Sequence, residues 1–309
     1  HGPVISDIHP LLKGGDKVVS MSWTGHWITK EMDAWISMTT MRNWSDFSSA
    51  IKNFGVPGQN IVYADSEGNI GWRPAVYVPM RKEGYSLIPR PGHLKEYDWA
   101  GKIPYGKMPY LYNPSSGFIA TANNKTIGEG FPYYISGLWA DPSRAARINA
   151  LIEESWTHTS KDMELIQLDY MSNFALEVLP AILAINQEGL TENQKVTFSH
   201  LKEWNGKEDV GSKGALFFHS FLNKFITNLY KDELGLLGDG YFEAYMSLKY
   251  LTHRNLREIL SGKQSSWLDD INTTNKYESL EDIIIKSYGE AYSLIINTYG
   301  SDTENWKWG

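Results

Sequence analysis

Not one cysteine occurs in the 309 residues of this chain, which excludes disulfides, thiol nucleophiles and cysteine-ligated metals. The cellular compartment does not follow from that absence. Long apolar runs are missing as well. No stretch reaches the roughly 18 residues that a membrane-spanning helix requires, and the strongest candidate, Ile283–Ile285, stops at Lys286. The eight histidines contain no His-x-x-x-His or His-Glu-x-x-His pair, so a histidine-held metal has no support. Neither a phosphate-cradling glycine loop nor a dinucleotide fingerprint is present. Positive charge is in deficit, with a net charge of −7, which argues against a nucleic-acid partner or an anionic membrane surface.

What is present is an ordinary globular composition, 42% hydrophobic and 21% charged, in a length that suits one large domain or two ordinary ones. The chain starts at His1, which is read as not an unprocessed start and as carrying no signal peptide, and finishes with Trp306-Lys307-Trp308-Gly309. Two tryptophans at a bare end would expose apolar area. Truncation at both ends is therefore the preferred reading, and a flexible aromatic tail the alternative.

Residues 1–140 read as strands and turns around a helical segment. Lys17–Trp23 alternates Val18, Ser20 and Ser22 with Val19, Met21 and Trp23, as a half-buried strand does. Glu31–Phe54 carries Met32, Trp35, Ile36 and Met38, then Trp44, Phe47 and Ile51, which predicts one bent helix or two short ones broken near Asn43. Ile61–Ala64 and Asn69–Val78 read as a hairpin around Asp65-Ser66-Glu67-Gly68. Residues 79–116 look like a long surface excursion, and Gly117–Ala122 like another strand, ending at Asn123-Asn124. Residues 141–309 turn helical. Asp141 is the predicted N-cap with Pro142 in the first helical position. Thr159-x-x-Asp162 opens a helix to about Ile185, and Ser279-x-x-Asp282 a last one to about Tyr299. Strands first and helices later predict an α+β fold with a helical subdomain.

Acidic pairs such as Asp232-Glu233 and Asp269-Asp270 read as solvated faces. Two features point further. A carboxamide at Asn123-Asn124, at the end of an apolar strand, can present an N–H donor to a tetrahedral oxyanion; an Asx turn closing the strand is the competing reading. Arg144 stands in the first turn of a predicted helix, where a cation opposes the dipole by roughly 0.3–1 kcal/mol. It therefore calls for an anionic or carbonyl partner, with a surface salt bridge as the competing reading.

At these residues the chain resembles the penicillin acylase family of N-terminal-nucleophile (Ntn) hydrolases. The matching stretches run in the family's order: His1-Gly2-Pro3-Val4, Tyr63-Ala64-Asp65-x-x-Gly68-Asn69-Ile70-Gly71, Pro89-x-Pro91-Gly92, Tyr97-x-Trp99-x-Gly101, and Tyr112-Asn113-Pro114 through Asn123-Asn124. Leu138-Trp139, Arg144-x-x-Arg147-Ile148, Gln167-x-Asp169-x-x-Ser172, Leu201-x-x-Trp204-Asn205-Gly206 and Tyr299-Gly300-x-Asp302 follow. The resemblance implies a partial αββα sandwich decorated by a helical region. It also implies hydrolysis of a small-molecule amide through an acyl-enzyme on an N-terminal serine. Asn123 matches the asparagine that donates into the oxyanion hole, and Arg144 the arginine that supports the site. Trp35 and Gln59 fall near positions that line the acyl pocket.

The same resemblance places the catalytic serine, and the small chain of the precursor, upstream of His1. An extracytoplasmic bacterial location is implied with it, and an incomplete sheet edge that could be covered by dimerisation. No cofactor is expected on this chain. The family's calcium site draws most of its ligands from upstream, and its late aspartate falls near Tyr133, which cannot replace a carboxylate. Two rival readings stand beside this one. Twelve tryptophans and eighteen tyrosines could serve a carbohydrate-binding protein by stacking, although Trp35, Trp44 and Trp139 sit at core-like spacing. A catalytically inactive relative kept as a scaffold is the other.

Overall fold

The computed structural model describes residues 1–83 and 86–308. They divide into two compact units that meet in the sequence between Ala140 and Asp141.

The first unit begins with two short helices, α1 (Glu31–Met38) and α2 (Trp44–Ile51). The break falls where the sequence puts it: the Asn43 side chain accepts the Asp46 N–H at 2.9 Å and caps α2. The strands are β1 (Gln59–Ala64), β2 (Ile70–Ala75), β3 (Pro79–Arg81), β4 (Trp99–Lys102) and β5 (Leu111–Tyr112). β1 and β2 form the expected hairpin, in register from Gln59↔Ala75 to Ala64↔Ile70, and β5 joins β2 through Trp72↔Leu111. This three-stranded sheet leaves β1 and β5 at its edges. β3 and β4 make a second, two-stranded sheet, so the 79–116 excursion is partly sheet; residues 84 and 85 of it lie outside the described residues.

Three expectations fail in this unit. Lys17–Trp23 is not a strand. It runs beside residues 3–6 with Val19 O accepting the Ile5 N–H, yet only the Val4↔Ser20 pair forms a bridge. Gly117–Ala122 is no strand either. Gly117 at φ +73° and Asn123 at φ +61° bracket it, and left-handed residues at both ends turn the chain out of an extended register. The face of α1 is also reversed. Ala34 is buried against Phe47, Ile51 and Phe54, whereas Trp35 and Ile36 are 51% and 63% exposed. A methyl side chain lets the helix approach its neighbours closely, and the bulky face turns outward.

The second unit is helical: α3 (Ser143–Glu153), α4 (Ser160–Gln167), α5 (Asn173–Leu183), α6 (Glu192–Glu203), α7 (Lys213–Leu236), α8 (Tyr241–Ser247), α9 (Lys249–Leu260) and α10 (Leu280–Tyr299). Its core is built on α7, whose Phe217, Phe218, Phe221, Phe225 and Leu229 are wholly buried. α10 lies along it with Ile284, Tyr288, Ala291 and Ile295, three or four residues apart on one face. Burial of each large side chain contributes about 1.5–3 kcal/mol against the entropy of ordering the helices. No described helix is long and apolar enough to cross a membrane.

Both predicted capping boxes form, at Thr159/Asp162 and Ser279/Asp282. The helix expected from Thr159 to about Ile185 is nevertheless two. The Ser172 N–H donates to Gly206 O at 2.8 Å and Met171 bridges Lys207, which draws the chain out of the helix before Ser172 caps α5. At α3 the cap position is Pro142, not Asp141, although the Asp141 carboxylate accepts the Ser143 N–H at 2.9 Å. The terminal aromatics do not hang bare. Trp306 is 2% exposed, and Trp308 stacks on His219 at 4.1 Å.

Candidate functional site

Most polar residues of the shared stretches turn out to be framework. In the β1–β2 turn, the Asp65 carboxylate accepts the Tyr63 hydroxyl at 2.7 Å and the backbone N–H of Glu67 and Asn69. The Asn113 side chain spans to the same turn, accepting from Ile70 N and donating to Asn69 Oδ1. The Tyr63 hydrogen bond holds Asp65 below the usual carboxylate range and pushes the tyrosine up to about 12. Gly71 is required by packing, since a Cβ there would stand 2.3 Å from the Trp44 ring. In the helical unit, Asp169 takes a bidentate pair from Arg147 at 2.9 and 2.7 Å, tying two shared stretches together.

The two adjacent asparagines have separate tasks. Asn124 closes the turn, accepting the Ala122 N–H at 3.0 Å and donating to Lys125 O at 3.2 Å. This is not the Asx turn the sequence offered, because the Asn124 oxygen accepts from the residue two positions before it rather than two after. Asn123 is exposed and left-handed, with its carbonyl accepting the Ala140 N–H at 3.0 Å. These bonds hold the backbone of the turn, and asparagine tolerates the left-handed conformation better than most residues.

Arg144 is exposed in the first turn of α3, inside the second unit. The residues before it are held tightly. The Asp141 carboxylate receives both terminal nitrogens of Arg257, one at 3.0 Å and one closer, together with the Ser143 N–H. Arg257 Nε donates to Glu177 at 2.5 Å. Burial alone would raise the Asp141 carboxyl, but Arg257 and Ser143 outweigh it and hold it below its ordinary value. A cleft of about 380 Å³ opens beside this cluster, lined by Pro142, Ser143, Ala146, Asn173, Leu176, Glu177 and Arg257. The sequence reading missed Arg257, which is 116 residues from its partner.

Trp35 and Gln59 both lie in the first unit. Trp35 meets Phe54 edge-on at 5.9 Å, and Gln59 is the exposed first residue of β1. A carboxylate with no sequence signature arranges the approach to both. Glu31, at the start of α1, accepts the N–H groups of Gly55 and Val56, each at 2.9 Å, and the Thr29 hydroxyl at 2.7 Å. It thereby fixes the segment leading into β1. Burial pushes its carboxyl up, but the Val56 N–H, the Thr29 hydroxyl and the Gly55 N–H prevail and hold it at about 2.

Tyr133 packs by its ring against Phe131 and the Val78–Ile103–Met108 cluster, and a tyrosine in such apolar surroundings does not fit a calcium ligand. Among the described residues no group of three or more His, Asp or Glu is placed to hold a metal. The acidic pairs are less solvated than expected. Asp232 accepts the Ile271 N–H and Asp270 pairs with Lys286 at 2.9 Å, while burial and the neighbouring Asp232 push the Glu233 carboxyl up to about 7.

Comparison with known proteins gives one consistent answer. The penicillin amidase family model matches residues 1–309. An acyl-homoserine lactone acylase QuiP from Pseudomonas fluorescens is 27% identical over the whole of this chain and 39% of its own length. Penicillin G acylase of Escherichia coli is 23% identical over 93% of this chain and 36% of its own. The chain thus spans well under half the length of the curated relatives it matches. Among solved structures, a thermostable penicillin G acylase from Alcaligenes faecalis superposes with a TM-score of 0.68 at 18% identity, covering 93% of this chain and 55% of that one. That likeness supports the partial Ntn-hydrolase fold.

Proposed function

Because this chain belongs to the penicillin amidase family, we propose that it forms the oxyanion-binding and substrate-positioning part of an amidohydrolase whose nucleophile lies upstream of His1. The observation that carries the reading is the family match along all 309 residues. The turn at 122–124 is consistent with it, because it places Asn123 at the protein surface.

In this reading an N-terminal serine attacks the amide carbonyl while its own α-amine, of pKa near 8, takes the hydroxyl proton. The tetrahedral oxyanion accepts a hydrogen bond from the Asn123 side-chain N–H. Its collapse returns the proton to the departing amine and leaves an ester on the serine, which water then cleaves. Arg144 supports the positioning of substrate or nucleophile, and Trp35 and Gln59 contribute to the acyl pocket. The substrate class is a linear amide joining an acyl chain to a small amine. Acyl-homoserine lactones head that class, since the relatives matching the whole chain are named for them. The upstream part of the precursor is the partner this role demands, and an extracytoplasmic location belongs to the same proposal.

The test is an assay of the matured full-length protein against N-acyl homoserine lactones and phenylacetyl amides, following the released amine. Turnover of at least one class is expected. A correctly matured protein that cleaves neither would return the chain to the scaffold reading.

A further inference from the structure

We infer that Arg257 is a positioning residue, which through Asp141 sets the first turn of α3 and with it the direction of Arg144. This rests on the role proposed above for Arg144. Pro142 stands at its cap position and supplies no side-chain hydrogen bond. Support for the entry comes instead from Asp141, whose carboxylate accepts the Ser143 N–H at 2.9 Å. That carboxylate is itself oriented by the forked guanidinium of Arg257. A bidentate pair fixes angle as well as distance, which a lysine cannot do.

Arg257 in turn is held on further sides. Its Nε donates to Glu177 of α5 at 2.5 Å, and its guanidinium lies 5.6 Å from the centre of the buried Phe174 ring. One side chain on α9 thus links α5 to the residue three positions before Arg144. The adjoining cleft gives the first turn room to shift if the guanidinium is removed. Because Asp141 is 9% exposed at its side chain, the turn has little water to substitute for the lost donors.

The full-length precursor provides the test, with a chromogenic amide as substrate and with kcat, KM and melting temperature recorded. Arg257→Gln is expected to lower kcat about 10- to 100-fold, the scale of a misplacement near 1 Å, with KM changed less than about twofold. Arg257→Lys should recover only part of the loss. On an Arg144→Ala background, Arg257→Gln should lower kcat no further, because its effect runs through Arg144. If Arg257→Gln does not mature, Glu177→Ala carries the same comparison with a smaller fall, since it removes the Nε acceptor and leaves the Asp141 pair intact.

A fall of equal size on both backgrounds, or a lower melting temperature with unchanged kcat, would overturn the positioning role and leave that of Arg144 standing. An Arg144→Ala variant with unchanged kcat would overturn both.

Discussion

At the scale of single residues, Asn123 and Asn124 differ in how the turn uses them. Asn124 uses both ends of its amide within the turn, whereas Asn123 is exposed at φ +61°. If Asn123 donates to the oxyanion, Asn123→Ala in the full-length protein lowers kcat by on the order of 10²–10³. KM changes much less, because the bond strengthens as charge develops. Alanine also strains a left-handed residue, by roughly 1–2 kcal/mol, so Asn123→Gly is the cleaner variant: it removes the amide and tolerates the left-handed backbone. Steady-state kinetics of both, beside a milder Asn124→Ala, decide the matter. Equal small effects at the two positions would return Asn123 to a turn residue. The pairing of types was legible in the sequence; which amide the turn engages was not, because that depends on the local backbone conformation.

At the scale of elements, local signals held where the interaction is local. Asn43, Thr159 and Ser279 each cap a helix through a residue three positions on. Lys17–Trp23, whose pairing depends on residues 3–6, was misread, and so was Gly117–Ala122, where left-handed residues at both ends prevent a strand. Glu31 also depends on distant residues, since α1 is joined to residues 55–56 by one carboxylate. Its folded pKa of about 2 lies below the ordinary 4.5. The stabilisation is therefore complete above pH 4.5 and is lost as pH falls toward 2. Replacement by Gln, which cannot present a charged acceptor to three donors, should cost about 1–2 kcal/mol at pH 7, a figure reduced for solvent screening. The gap from the unmodified protein should narrow at pH 3. Urea unfolding of both proteins at pH 7, 4 and 3 measures this, and a gap independent of pH would mean that the charge contributes nothing.

At the scale of the whole molecule, the proposed chemistry is divided between this chain and sequence upstream of it. The purified 309-residue chain is expected to fold and yet to turn over no amide, because the nucleophile and its α-amine are supplied from elsewhere. Sustained amide turnover by this chain, with contaminating hydrolases excluded, would place a nucleophile within it and refute the division.

The family, the two capping boxes, the hairpin turn at 65–68 and the helical character of residues 141–309 were all determined by the sequence alone. Each depends on residues within a few positions of one another, or on motifs kept in order. Tertiary structure decided which face of α1 is buried, because Ala34 rather than Trp35 admits a close neighbour. It decided that Asp65, Asn113, Arg147 and Asp169 serve the framework. It also brought Arg257 to Asp141 across 116 residues. Such pairings follow from how packed helices and strands meet in space, and no spacing along the chain encodes them.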